Sequence, residues 1–159
     1  MRFKTLELAD YNLVAPRSRN SLFARAARLP RARELVLGAP DAWRMAMCDW
    51  NDWPVAIGGL FPIWPGRAEA WLLLGPEIGL RETLAALTFC RVHMDMLQAR
   101  DPDCHRIEMW VEADAPWCAR FAERLGMRQE GLAKAWGPDG ADHMLFARVA
   151  DAVAQRRAA

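Results

Sequence analysis

The chain has 159 residues, of which 53% are hydrophobic and 26% charged, enough to bury one core and too apolar for a disordered chain. A formal net charge of +1 argues against steering toward nucleic acid or an anionic membrane surface. Cys48, Cys90, Cys104 and Cys118 form no C-x-x-C pair, so neither a zinc site nor a disulfide framework is expected, and the thiols read as reduced, in a cytoplasm.

The N-terminal MRFKTLELADYN lacks the apolar stretch of a signal peptide, and no apolar run approaches the roughly 18 to 20 residues of a membrane span. Phe3, Thr5, Leu6 and Leu8 suggest a short first strand. Asp10 to Arg19 reads as a loop or short helix. Ser21 can cap a helix over Leu22 to Leu29, Pro30 interrupts it, and a second piece over Arg31 to Leu37 ends at Gly38-Ala39-Pro40. Arg17, Arg19, Arg25, Arg28, Arg31 and Arg33 precede the next acid, Glu34; they form either a solvated helix face or a patch for an acidic substrate, a partner or a phosphate.

From Trp43 the period becomes two. Trp43, Met45 and Met47 alternate with Arg44, Ala46 and Cys48, as in a half-buried strand. Asn51 to Pro54 is a turn, and Val55 to Phe61 is the paired strand. Turn residues over Pro62 to Gly66 lead to a nearly all-apolar central strand, Ala68 to Leu74, stopped by Gly75-Pro76. The long segment Leu80 to Arg100 carries Leu80, Leu84, Leu87, Met94 and Leu97 on one helical stripe. Asp101-Pro102-Asp103 ends it. His105 to Glu112 alternates again, with Ile107, Met109 and Val111 on one face.

Asp114 can cap a helix with Pro116 in its first turn, Trp117, Phe121 and Leu125 along its apolar side, and Gly126 as its stop. Met127 to Leu132 and His143 to Val149 are the last strands, joined around Gly137 to Gly140. Trp64, Trp71, Trp110 and Trp117 could line a groove, but aromatic residues in strands usually fill interiors, and core packing is expected. The spacings of His93, His105 and His143 match no metal site, so no metal is expected. Cys118 reads as a buried helix residue. The organisation is one domain over residues 1–150 with a tail at 151–159.

This order, with strand, helices, three strands, long helix, strand, helix and two strands, resembles the GNAT superfamily of N-acetyltransferases. WCARFAERLGMRQEGLAK, Trp117 to Lys134, is similar to the family's block of a helix ending in a Leu-Gly step before a Glu-Gly strand. VAIGGL resembles its third strand and AEAWLLLGPE its fourth. The resemblance implies an α/β (α+β) fold with a central mixed, mostly antiparallel sheet flanked by helices. It also implies acetyl-CoA as cofactor, with pantetheine pairing to the backbone of Leu72, Leu73 and Leu74. The pyrophosphate would then rest on amides at the next helix N-terminus, where unpaired N–H groups and the helix dipole favour an anion.

The family's phosphate turn normally reads Arg/Gln-x-x-Gly-x-Gly/Ala. Here Gly75 to Glu82 is shorter, retains only Gly79 and Arg81 of that pattern, and adds Glu77 and Glu82. Acetyl transfer also needs a base for the acceptor ammonium. Glu69 stands where some members carry a glutamate base; it is otherwise a strand-edge surface carboxylate. Glu108, facing away from Ile107 and Met109, is either a second base or a solvated outer-face residue. The family's tyrosine acid is replaced by Ala122.

Two functions stay open. One is acyl-CoA-dependent N-acetyl transfer to a small-molecule amine or a protein amino group. The other is a non-catalytic interaction module, since LLLGPEIGLRETLAALTF also resembles phage and prophage GNAT-like proteins; its partner would be a virion or assembly component. A homo-oligomer is compatible with either.

Overall fold

The computed structural model describes residues 1–17, 30–40, 43–100, 104–137 and 139–150. The helix expected at 22–29, the breaker at 101–103, Pro138 and the tail at 151–159 lie outside the described residues. Seven strands form one sheet in the order β1-β2-β3-β4-β5-β7-β6. They are β1 Arg2–Thr5, β2 Arg44–Cys48, β3 Pro54–Trp64, β4 Arg67–Leu74, β5 Arg106–Glu112, β6 Arg128–Ala133 and β7 His143–Val149. The α-helices are α1 Leu8–Val14, α2 Pro30–Gly38, α3 Leu80–Arg100 and α4 Pro116–Arg124. The chain divides into two compact units, Met1–Phe61 with Ala70–Ala86, and Pro62–Glu69 with Leu87–Ala159.

In the first unit, β1 and β2 run antiparallel, as do β2 and β3. Successive side chains of a strand point to opposite faces, so β4 feeds two cores. Trp71 and Leu73 join Leu6, Tyr11, Val14, Ala15, Val36, Ala46 and Ile57 on one face. Leu74 joins Met47, Val55, Ala56 and Ala86 on the other. The half-buried reading of β2 therefore needs correction, because Ala46, Met47 and Cys48 are all buried between β1 and β3. The turn before β3 is built by a residue that the sequence pattern passes over. Asp49 Oδ1 accepts from the Asn51 and Trp53 amides at 2.8 and 2.9 Å, and Asp52 takes φ 65°.

In the second unit, β5 pairs parallel with the start of β4 and antiparallel with all of β7, from Arg106 opposite Val149 to Glu112 opposite His143. Ile107, Val111, Phe146, Phe121, Ala122 and Leu125 are buried. Helix α4 starts on Pro116 after Ala115, not on an Asp114 cap; proline at this position costs no intrahelical bond. It ends at Gly126 with φ +83°, where the Met127 amide donates to the Ala122 carbonyl at 3.2 Å. That left-handed step favours glycine.

Three further expectations are corrected. The turn before β4 is confined to Pro65 and Gly66, and Pro62, Ile63 and Trp64 belong to β3. Along α3, Leu80 and Leu84 are exposed while Ala86, Met94 and Leu97 are buried. Apolar residues recur at helical spacing on more than one stripe of α3, so spacing alone does not choose the buried one. Among the four tryptophans only Trp71 is core; Trp64 and Trp117 are exposed and Trp110 is half-buried.

Candidate functional site

Two strands carry the same short pattern, arginine, apolar, glutamate. Arg67-Ala68-Glu69 lies at the start of β4 and Arg106-Ile107-Glu108 at the start of β5, and the parallel register sets Arg67 opposite Arg106 and Glu69 opposite Glu108. Opposite residues share a face, so all four charged side chains stand on one side of the sheet. Like charges directly opposite one another are unfavourable.

The relief is asymmetric. Arg67 reaches diagonally to the Glu108 carboxylate, and Arg106 Nε donates to the same carboxylate at 2.9 Å. The remaining nitrogens of Arg106 turn to Glu130, at 2.6 and 3.1 Å. Glu130 is available because the β6–β7 register slips between Gln129 and Gly131, leaving it without an opposite residue. The Arg67 guanidinium also lies 4.0 Å over the Trp64 ring, a cation–π contact.

Glu108 is only 1% exposed, so the solvated outer-face reading fails. Burial works against its charged form, but the hydrogen bonds and charges of Arg67 and Arg106 outweigh that and hold the carboxyl below its ordinary value. Glu69 is half-buried, and among the described residues it has no ion-pair partner. Burial, then the neighbouring Glu108 charge, raises its carboxyl above the ordinary value, against a smaller pull from Arg67. The two candidate carboxylates therefore have opposite characters, one committed and one open. Arg67, Arg106 and Glu130 went unnoticed in the sequence, although the repeated Arg-x-Glu at strand spacing is a readable signal.

The other expected site residues lie in the first unit. Leu72, Leu73 and Leu74 close β4, and Gly75 follows at a close approach: its amide donates to the Val55 carbonyl at 2.8 Å, and a Cβ there would meet that oxygen at 2.8 Å. Gly79 precedes the first residue of α3. Its carbonyl accepts from the Thr83 amide and hydroxyl, at 3.0 and 2.8 Å, and its amide donates to Glu82 at 3.1 Å. This one-sided cap puts the Glu82 carboxylate at the positive end of the helix. Glu77 is ion-paired with Arg17, whose guanidinium lies 5.6 Å from the Trp53 ring centroid. Arg81 lies 5.2 Å over the Trp50 ring.

His143 is buried, with Nδ1 3.1 Å from the Ala141 carbonyl, and Trp136 packs between it and Trp110. Burial pushes the Cys118 thiol up to about 12, which removes it as a nucleophile at neutral pH. Among the described residues no cluster of His, Cys, Asp and Glu could hold a metal, and no helix is long and apolar enough to cross a membrane.

No family model matches the sequence, and no curated protein matches it. Solved structures do match the fold. A protein assigned as a phosphinothricin N-acetyltransferase superposes with a TM-score of 0.70 at 14% identity, over 93% of this chain and 97% of that one. A spermidine N-acetyltransferase from Vibrio cholerae gives 0.68 at 16% identity, over 93% and 92%. A GNAT-family acetyltransferase from Bacillus anthracis gives 0.64 at 16% identity, over 92% and 93%. At such identities the likeness speaks for architecture alone. The seven-stranded, mostly antiparallel sheet with its flanking helices is the fold of the GNAT N-acetyltransferases.

Proposed function

We propose that the chain is an acyl-CoA-dependent N-acetyltransferase whose general base is Glu69. The observation that carries this reading is the contrast between two carboxylates at one register position. Glu108 is neutralised by two guanidinium groups, whereas Glu69 is half-buried, without an ion-pair partner among the described residues, and held above the ordinary carboxyl value. A base works best when its own value lies toward the operating pH, and the shift at Glu69 is in that direction. The acceptor would be a small amine, of which spermidine in the Vibrio cholerae neighbour is one example, or a protein amino group.

The start of α3 fits an anionic cofactor group. Gly79, Leu80 and Arg81 are exposed there, Arg17 already offsets Glu77, and the Gly79 amide donates to an anionic group, the Glu82 carboxylate. Gly79 and Arg81 would hold the pyrophosphate of acetyl-CoA, and the backbone of Leu72, Leu73 and Leu74 its pantetheine arm. When bound, acetyl-CoA supplies a thioester carbonyl as acceptor for the amine and a thiolate as leaving group. Glu69 takes the proton from the acceptor ammonium, which frees the nitrogen lone pair for attack. With alanine at position 122, no tyrosine acid is assigned to the leaving thiolate.

Calorimetric titration with acetyl-CoA tests the cofactor half of this reading. Saturable binding that weakens in Arg81→Ala is expected; no heat and an unchanged melting temperature at millimolar acetyl-CoA would remove it. Glu69→Gln is expected to lower kcat by about 10²- to 10⁴-fold, the usual contribution of a positioned base.

One observation favours a second reading, a non-catalytic interaction module. The Glu82 carboxylate already takes the Gly79 amide that a pyrophosphate would use. Absence of acetyl-CoA binding, together with co-purification with a partner such as a virion or assembly protein, would support this alternative.

A further inference from the structure

The charged groups around the two Arg-x-Glu segments do not balance. Three carboxylates, Glu69, Glu108 and Glu130, share two guanidinium groups, Arg67 and Arg106. A symmetric solution was open to the fold: two crossed diagonals, Arg67 with Glu108 and Arg106 with Glu69. Only the first is made. Arg106 instead bonds to Glu108 on its own strand and to Glu130 on β6.

Each guanidinium is therefore held elsewhere. Arg67 has Glu108 in front of it and the Trp64 ring against its face. Arg106 has Glu108 on one side and a two-nitrogen bond to Glu130 on the other. Arg67 Nε is buried without a hydrogen-bond partner among the described residues, so this side chain has a spare donor for any carboxylate that comes within reach. With the strands about 4.8 Å apart, Glu69 stands one strand spacing from Glu108 and two residues from Arg67 on the same face.

We propose that Glu108 and Glu130 are positioning residues, which hold Arg67 and Arg106 away from Glu69 and so leave its carboxylate free to accept a proton. The inference deepens the acetyl-transfer reading by assigning a use to the ion network beside its base, and it rests on that reading for the consequence only. The network itself is testable without donor or acceptor. The direction of the Glu69 shift comes first from burial; the charge of Glu108 then raises the carboxyl further, and Arg67, still two residues away, lowers it less. Among the described residues the charged groups acting on Glu69 are Arg67 from its own strand and Glu108 from β5, with Arg106 and Glu130 next in the network.

The experiment is a carbon-13 carboxyl NMR titration of the unliganded protein, with Glu69 assigned by its loss in Glu69→Gln. Glu130→Gln is the first variant, because Glu130 is exposed and its removal leaves the strands intact. It frees the two Arg106 nitrogens that Glu130 holds, with Nε still on Glu108, and the Glu69 midpoint is expected to move to lower pH. Adding Arg106→Gln to Glu130→Gln should return the midpoint toward the wild-type position. Glu108→Gln, where it folds, should move the midpoint down further by releasing Arg67 as well, and Glu108→Asp should restore it. An unchanged Glu69 midpoint in folded Glu130→Gln, or a drop that persists after Arg106→Gln is added, overturns the proposal. The acidic limb of kcat/KM should follow the NMR midpoint across the series. If the midpoints move as expected while no acetyl transfer is detected, the positioning role stands and the catalytic reading falls.

Discussion

The turn Gly75 to Glu82 and the paired Arg-x-Glu strands use the same chemistry, glutamates answered by arginines, to different effect. Along the turn, Arg17 and Glu77 meet at the surface, and Glu82 is answered by a backbone amide at a helix start. On the strands, Glu108 is removed from water and two guanidinium groups converge on it. Water screens the first arrangement more than the second. Consequences of mutation should therefore divide by burial, with the strand pair sensitive and the turn tolerant.

The largest effect is expected at Glu108→Ala, which leaves Arg67 without its carboxylate partner while Arg106 keeps Glu130. Breaking one side of a buried ion pair costs about 3 to 5 kcal/mol, to be read from the midpoint and slope of urea unfolding. An unfolding free energy within about 1 kcal/mol of wild type would show that the strand pair is no more protected than the turn.

The pH dependence separates the two strand carboxylates by sign. Glu108 has a folded value below its ordinary 4.5, so its stabilisation is present above 4.5 and disappears as pH falls through the folded value. Glu69 has a folded value above 4.5. It thus favours the folded state at low pH, and that contribution is lost as pH rises from 4.5 through the folded value. Glu69→Gln should accordingly be more stable than wild type at neutral pH, and Glu108→Gln less stable. Equal and same-sign changes would erase the distinction between a committed and an open carboxylate.

Smaller effects belong to the turn. Glu82→Ala removes a side-chain cap from α3 and should cost about 0.5 to 1.5 kcal/mol in thermal unfolding, while opening the Gly79 amide to an added anion. Arg17→Ala breaks an exposed pair and should cost about 1 kcal/mol or less, diminishing with added salt. A larger loss at Arg17 than at Glu108 would invert the comparison.

Much of the architecture was legible from local pattern. Period-two alternation located β2 and β5, and apolar residues at helical spacing located α3 over Leu80–Arg100. Gly126 ended α4 where a left-handed residue was needed. Patterns failed where burial depends on what lies across from a residue. Separate core clusters on Ala46 and on Met47 buried both faces of β2, Leu80 and Leu84 fell on the open side of α3, and Trp64 became an arginine platform instead of core.

The candidate site divides along the same line. Sequence by itself determined the strand order that resembles the GNAT fold, the two glutamates worth considering, and the unusual acidic turn before α3. Tertiary structure alone decided what those glutamates are. Register placed Glu69 opposite Glu108, a slip in β6 presented Glu130 to Arg106, and burial made Glu108 the shared partner of two arginines. A carboxylate's proton affinity is set by charges within a few ångströms, and residues 24 to 41 positions apart in this chain become such neighbours only through strand pairing.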